Sequence, residues 1–369
     1  MNPAPAPLQV ALVGCGWAGG WHAADLKLLP ELFTLAVCCD TSAARAEEFG
    51  SKYGIPVRLT DYAAVCARPD IDVVVICTPP AVHHAMVLQA LAANKHVVCE
   101  KPFVRSLAEV DSVEAAEKRS RRRVMPVFQY RFGPGLAKVR HLIRSGIVGR
   151  HYVSSVETAR WRGADYYREA WRGKFATELG GVLVTQAIHI HDILTWLVGP
   201  VATVAALKTT RVNPIEVEDC AVASLQLADG SLASLTATLG SVRQVTRLRL
   251  CFEHVTFQKL CDHDGESRPA DDPWEILPRT PQIAALVDAR LADVVPGRSW
   301  FAGQYEQFHR SLATGEPFAV TIADARASLE LITALYESAE SGAMVSLPIG
   351  PDDPRYHGWT LRPPAAAAS

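Results

Sequence analysis

The chain reads as an α/β protein: a Rossmann-type, doubly wound parallel sheet at the amino-terminal end, followed by an α+β part built on a large open antiparallel sheet. Three observations predict this. Apolar runs alternate with amphipathic stretches from Leu8 to about Tyr130, a glycine-rich turn follows the first run, and beyond residue 150 the strands lengthen and alternate in polarity. Continuously apolar strands separated by helices belong to a parallel sheet covered on both faces, whereas alternation marks a sheet with one wet face. The 369 residues suit two domains, expected over 1–130 and 131–369, with the final helix packing back on the first.

In order, "LQVALVG" is the first strand, "AGGWHAADLKLL" a helix, "FTLAVCCD" the second strand and "SAARAEEFGSKYG" a helix closed by Gly54. "DVVVICT", "AVHHAMVLQALAAN", "KHVVCE", "SLAEVDSVEAAEKRS" and "VMPVFQY" continue the alternation. After "RFGPGLAKVRHLIRSGIVG" come the strands "HYVSSVETARWR", "VATVAALKTTRV", "CAVASLQLADGSLASLTATLG", "TRLRLCF" and "HVTFQKL". Asp-Gly between alternating arms in "LADGSLA" predicts a hairpin. Residues from Cys261 to Arg298, rich in Asp, Pro and Arg and with little periodicity, read as a long excursion near the second domain's edge. Two late helices, "WFAGQYEQFHRSLATG" and "TIADARASLELITALYESAESG", precede a tail, "RPPAAAAS", expected to fray.

With 49% hydrophobic residues and a net charge of -2, the composition argues for a globular protein without general attraction to nucleic acid or anionic membranes. Small molecules are the expected partners. No apolar run approaches the roughly 20 residues that span a bilayer, and "MNPAPAPLQV" lacks the build of a secretory signal; both point to the cytoplasm. The nine cysteines include no C-x-x-C pair and no zinc-like spacing, so no metal is expected. They read as small buried thiols in a reducing compartment, the vicinal Cys38 and Cys39 pointing to opposite faces of a strand.

"VGCGWAGGWH" places Gly14, Gly16 and Gly19 in a G-x-G-x-x-G spacing around Trp17 and Ala18, between the first strand and the first helix. In that context the glycines permit a tight turn and close approach to a pyrophosphate, and the helix amino terminus offers N–H groups to the anion. Asp40 ends the second strand, where a carboxylate accepts hydrogen bonds from the adenosine ribose and repels a 2′-phosphate. NAD is therefore expected ahead of NADP, with Arg45 the nearby residue that leaves the question open. Thr78 and Pro79, at the carboxyl end of a later strand, fall on the ligand edge. His83 beyond them has two readings, a cofactor neighbour or a helix-terminal hydrogen bonder.

"HVVCEKPF" is the most informative stretch. Glu100 and Lys101 end an apolar strand on that same edge, and charges there are costly without a partner. A lysine amine so placed can hold a substrate hydroxyl, with the carboxylate lowering the penalty. Farther on, in "TQAIHIHDILTWLVG", helical spacing aligns Thr185, His189 and Asp192 and turns His191 elsewhere. A histidine suits proton transfer near neutrality.

Through "VGCGWAGGWH", "ICTPPAVHH", "KHVVCEKPF", "YYREAWRGKF", "GGVLVTQAIHIHDILTWLVG" and "ALYESAESGAMVSLP" the chain resembles the glucose-fructose oxidoreductase / inositol dehydrogenase / MocA family, from about Leu8 to Trp359. The resemblance implies a Rossmann domain and an open-sheet domain used in oligomer contacts, giving a homodimer or homotetramer. It implies hydride transfer between NAD(P) and a sugar or polyol carbon, Lys101 orienting substrate and His189 acting as general acid/base. Glu100, Thr78 and the glycines would contact the dinucleotide, Gln129 would lie near the nicotinamide, and Trp171 with Arg172 would close over the cofactor. Thr185 departs from the aspartate many members carry there, and Asp192 is the residue placed to substitute in part. That departure weakens an assignment to inositol dehydrogenation; similar "YY...WRG" segments occur in nucleotide-sugar dehydrogenases. Arg160, Trp161, Arg162, Tyr166 and Tyr167 have two readings, a pocket suited to carboxylate or phosphate and an exposed strand-to-loop face. The expected activity is NAD-dependent oxidation of a secondary hydroxyl. The alternatives are an NAD-dependent glycoside hydrolase of the same fold and a non-catalytic NAD-binding regulator.

Overall fold

The computed structural model describes residues 6–262 and 268–359, so the tail after residue 361 and part of the acidic excursion lie outside the described residues. Two compact units emerge: one comprises 1–104, 109–132 and 297–325, the other 105–108, 133–296 and 326–369. The division is thus not a single cut in sequence. The segment that rejoins the first unit carries α11 (Trp300–Thr314), whereas all but the first turn of α12 (Ile322–Ser341) counts with the second.

In the first unit β1 (Leu8–Val13), β2 (Phe33–Cys39), β3 (Val57–Leu59), β4 (Val73–Ile76), β5 (His96–Cys99) and β6 (Val124–Pro126) form one sheet in the order β3-β2-β1-β4-β5-β6. Every pairing is parallel. β4 is buried along its whole length, the burial that its unbroken Val-Val-Val-Ile run requires. Helices α1 (Trp17–Leu26), α2 (Ala43–Tyr53), α3 (Tyr62–Cys66), α4 (His83–Ala92) and α5 (Leu107–Ser120) connect the strands. Leu12, Cys15, Ala23, Cys38, Phe49 and Ile55 form a core cluster beside the glycine turn. α2 begins at a Ser42 cap and ends on Gly54 at φ 64, a left-handed position that glycine adopts without steric cost. The strand order reverses between β1 and β4, which makes the carboxyl edge there the ligand crevice of this topology.

The second unit contains α6 (Pro134–Arg144), β7 (His151–Trp161), α7 (Phe175–Glu178), α8 (Val182–Thr185), α9 (Ile188–Val198), β8 (Val201–Thr209), β9 (Cys220–Leu227), β10 (Leu232–Thr238), β11 (Gly240–Phe252), β12 (Val255–Asp262), β13 (Glu275–Pro278), α10 (Pro281–Leu291) and β14 (Val345–Ser346). Its eight strands are ordered β13-β12-β11-β7-β10-β9-β8-β14. The sheet is mixed rather than wholly antiparallel, because β7 and β10 pair in parallel. β9 alternates buried and exposed positions, as its period-2 sequence demands, and the Asp-Gly segment joins β9 to β10 as an antiparallel pair.

Two expectations need correction. The excursion is not structureless, since β13 pairs with β12 and α10 follows, capped by the Thr280 side chain. Nor is "TQAIHIHDILTWLVG" one continuous helix: the axis bends by 52° between Phe175–Thr185 and Ile188–Val198. Thr185 therefore sits before the break and does not share a continuous helical face with His189 and Asp192. No single helix among the described residues is long and apolar enough to cross a membrane.

Candidate active site

The chain leaves β1 through Gly14 at φ 100, where a Cβ would lie 2.6 Å from the Cys77 carbonyl oxygen, so the turn needs glycine for conformation and for space. A Cβ on Gly19 would lie 2.2 Å from the Gly14 carbonyl oxygen, which fixes how closely α1 approaches its own turn. Gly16 precedes α1 without a side-chain cap, and nothing lies within 4 Å of where its Cβ would be. Open space over uncapped N–H groups is the donor arrangement a pyrophosphate takes. Trp17, the first residue of α1, is 79% exposed, and Ala18 follows it.

Asp40 lies on the same edge. Its Oδ2 accepts the Cys15 N–H at 3.1 Å, and its Oδ1 accepts Ser42 N–H at 2.9 Å and the Arg45 guanidinium at 2.9 and 3.1 Å. Burial opposes the charge, but the Arg45 hydrogen bond and the two backbone donors hold the carboxyl below the usual range. Arg45 is thus a clamp on Asp40.

Beyond β4 the Thr78 hydroxyl donates to Met86 Sδ at 3.4 Å, and Pro79 leads into a short 3-10 turn. His83 is fully buried, with Nε2 2.9 Å from the Thr78 carbonyl and Nδ1 3.0 Å from the Pro102 carbonyl. Both nitrogens face backbone carbonyls, so the histidine ties the two loops.

Beyond β5 the carboxylate of Glu100 is buried and committed within the protein. Oε1 meets His22 Nε2 at 3.0 Å, Oε2 accepts the Lys101 N–H at 2.9 Å, and His22 Nδ1 lies 2.5 Å from the Tyr305 hydroxyl. The polarity that satisfies every atom runs from Tyr305 O–H to Nδ1 and from Nε2–H to Glu100. Burial opposes this charge too, yet the His22 hydrogen bond and the Lys101 charge and N–H hold the carboxyl below its ordinary range. Glu100 fixes the backbone from which the half-buried Lys101 side chain projects. Gln129, in a 3-10 turn after β6, is buried with an Oε1 that has no hydrogen-bond partner among the described residues. An orphaned amide acceptor on a nucleotide-binding edge fits the N–H₂ of a carboxamide. His22 and Tyr305 escape sequence reasoning because their partners lie 78 and 283 residues away in the chain.

In the second unit, α9 carries His189, His191 and Asp192, all buried. His191 has no partner on Nδ1 among the described residues, and burial pushes it down to about 4. Thr185 donates its hydroxyl to the Gly181 carbonyl at 2.8 Å. That turn is built around buried Glu218, whose oxygens accept Gly181 N–H and Leu183 N–H at 3.0 Å and the Tyr336 hydroxyl at 2.5 Å. A Cβ on Gly181 would fall 1.6 Å from the Glu218 carbonyl oxygen. The "GG" before the histidine helix is thereby a packing requirement.

Arg172 pairs with buried Glu178 at 3.0 Å, bonds the Tyr166 hydroxyl and stacks over the Tyr166 and Trp171 rings at 3.8 and 4.2 Å. Arg162 bonds Gln186 at 3.0 Å and also faces the Tyr166 ring. Arg160 is buried and Trp161 exposed, although Thr158, Ala159 and Arg160 are buried in succession, so strict alternation is lost at this end of β7. Tyr167 is half-buried, and burial pushes its hydroxyl above the usual range. Within this unit the "ARWRGADYYREAWRG" residues thus form one arginine and tyrosine cluster tied to Gln186, three positions before His189. No group of three or more His, Cys, Asp or Glu side chains suited to a metal occurs among the described residues.

A 3-2-1-4-5-6 parallel sheet with a glycine turn, an acidic β2 end and a charged β5 end defines a dinucleotide-binding oxidoreductase fold. The chain belongs to the Gfo/Idh/MocA family: residues 8–128 match the oxidoreductase family with an NAD-binding Rossmann fold, and residues 136–258 match the GFO/IDH/MocA C-terminal domain. It is 30% identical over 234 residues to an uncharacterised oxidoreductase of Synechocystis, covering 60% of this chain and 62% of that protein. To the levoglucosan dehydrogenase of Pseudarthrobacter phenanthrenivorans it is 28% identical, over 55% of this chain and 54% of that protein. The match thus spans less than two thirds of these curated relatives' length. Among solved structures, the WlbA dehydrogenase of Bordetella pertussis in complex with NADH and UDP-GlcNAcA superposes with a TM-score of 0.82 at 26% identity, covering 93% of this chain and 100% of that one. Levoglucosan dehydrogenase in complex with NADH and levoglucosan shares the fold at a TM-score of 0.78 and 22% identity, over 93% and 100% of the two chains.

Proposed function

We propose that this protein is an NAD-dependent dehydrogenase that oxidises a secondary hydroxyl of a sugar, a sugar derivative such as a nucleotide sugar, or a polyol. The observation that carries the reading is the Lys101 backbone, fixed through Glu100 and His22 at the carboxyl edge of β5, on the same sheet edge as the open glycine turn and the orphaned Gln129 amide. Bound NAD supplies the hydride acceptor. The chain's own residues do the rest: Lys101 holds the substrate oxygen, His189 takes the hydroxyl proton, and Thr185 and Asp192 set the surroundings of that histidine. Gly14, Gly16, Trp17, Ala18 and Gly19 receive the pyrophosphate, Asp40 and Arg45 the ribose, Thr78, Pro79 and Gln129 the nicotinamide side, and Trp171 and Arg172 cover the cofactor. Arg160, Arg162 and Tyr167 line the substrate side, where the arginines favour an acidic or phosphorylated sugar.

Support for a nucleotide sugar comes from the UDP-GlcNAcA complex of the WlbA relative. The wet face of the eight-stranded sheet exposes Val153, Val222 and Leu232, an apolar surface that suits a homodimer or homotetramer, to be read by light scattering. The activity is tested by thermal stabilisation with NAD against NADP, followed by a screen of polyols, aldonates and nucleotide sugars for NADH formation. NADH accumulating with product confirms net oxidation and rules out a cofactor-recycling hydrolase. A Lys101→Ala protein that kept full turnover would sink the mechanism.

A further inference from the structure

Two loops reach the ligand edge from β4 and β5, and the His83 side chain meets the backbone of both. Nε2 stands 2.9 Å from the Thr78 carbonyl and Nδ1 3.0 Å from the Pro102 carbonyl, with the ring fully buried. The two contacts have different consequences. The Thr78 carbonyl belongs to the loop assigned to the nicotinamide side, and the Pro102 carbonyl belongs to the residue that follows Lys101. Carbonyl oxygens only accept, so a neutral ring with one N–H bonds one of them at a time, while the doubly protonated ring bonds both. Burial pushes the ring toward the neutral form, opposed by the Thr78, Pro102 and Phe103 backbone and by the Glu100 charge, which favour the doubly protonated ring in which both ties stand together.

We propose that His83 is a positioning residue that ties the cofactor loop to the Lys101 turn, so that cofactor affinity and lysine placement depend on different nitrogens of one ring. This rests on the dehydrogenase reading above. Misplacing a group by about 1 Å costs on the order of 100-fold in rate, and the two carbonyls have no need to hold their places once the ring is removed.

The two nitrogens can be replaced separately. The amide nitrogen of Asn reaches about as far as Nδ1 and that of Gln about as far as Nε2. His83→Asn should keep the Pro102 tie and lose the Thr78 tie, and His83→Gln the reverse. With the holoenzyme and the substrate that the screen identifies, His83→Phe is expected to lower turnover about 10- to 100-fold and to weaken NAD binding severalfold. His83→Asn should restore turnover at saturating NAD while NAD binding stays weak; His83→Gln should restore NAD binding, read by quenching of protein fluorescence, while turnover stays low. In a Lys101→Met background, the turnover difference between His83→Asn and His83→Gln should vanish. Equal losses in all three variants, or a turnover difference that persists without the lysine, would overturn the proposal. Full turnover by Lys101→Met alone would instead refute the dehydrogenase mechanism, and the split in NAD binding would still report on the Thr78 tie.

Discussion

Glu100 offers the sharpest test of how the catalytic edge is held. Its carboxylate takes two donors, the buried His22 Nε2–H at 3.0 Å and the partly buried Lys101 N–H at 2.9 Å. Glu100→Ala strands both. Each buried donor left without a partner costs about 1–3 kcal/mol, and removing one side of a buried pair costs about 3–5 kcal/mol. The expected loss is therefore about 4 kcal/mol. Glu100→Gln behaves differently because His22 can change tautomer: the amide oxygen accepts Lys101 N–H, the amide N–H₂ donates to a bare Nε2, and Nδ1–H donates to the Tyr305 oxygen. Every one of these bonds survives, the two at His22 with their polarity reversed and the Lys101 N–H bond unchanged, and only the charge-assisted part is lost, about 1 kcal/mol. Urea unfolding followed by near-ultraviolet circular dichroism should show the first transition displaced by about 1–2 M in Glu100→Ala and by less than about 0.5 M in Glu100→Gln. A Glu100→Gln protein as unstable as Glu100→Ala would refute the tautomer argument, and an unchanged Glu100→Ala would refute the hydrogen-bond chain itself.

Three further outcomes follow from the structure. Gly181→Ala places a methyl 1.6 Å from the Glu218 carbonyl oxygen, and since backbone has to move, a loss of at least about 3 kcal/mol is expected, seen in differential scanning calorimetry as a fall of roughly 6–12 °C. His191 has a folded pKa of about 4 against about 6.5 unfolded. The folded state therefore binds fewer protons, stability is fully present above pH 6.5, and it is lost as pH falls toward 4, on the order of 3 kcal/mol in all. His191→Leu should flatten that dependence between pH 7 and 4.5 in urea titrations while changing little at pH 8. Asp40→Ser releases Arg45 from its clamp and removes the charge that repels a 2′-phosphate; the ratio of kcat/KM for NAD over NADP should fall at least about tenfold, and an unchanged ratio would mean that Asp40 does not read the ribose.

The amino-terminal half was legible because its information is local. Unbroken apolar strands, glycines at a turn and Asp40 at a strand end each encode a feature within a few residues, and the parallel order then brings Gly14, Thr78 and Lys101 to one edge. The hairpin at Asp229-Gly230 and the Gly54 helix end were legible for the same reason. Thr185 illustrates the failure: helical periodicity cannot register a bend of 52°, nor that Glu218 holds the preceding Gly181 turn from 37 residues away. The partial order in the 261–298 stretch was hidden because β13 gains its stability from pairing with β12 and not from its own composition.

By itself, then, the amino-acid order determined the fold class, the dinucleotide edge and the family, since each rests on spacing within a strand, a turn or a helix. Only the tertiary structure decided what the charges are paired with. Glu100, read as a cofactor contact, has its two oxygens on His22 and the Lys101 N–H; His83, read two ways, has both nitrogens on carbonyls; Arg45 clamps Asp40. The reason is physical: a buried polar atom must find a partner wherever the packed chain supplies one, and those partners are chosen by folding across distances that no local pattern records.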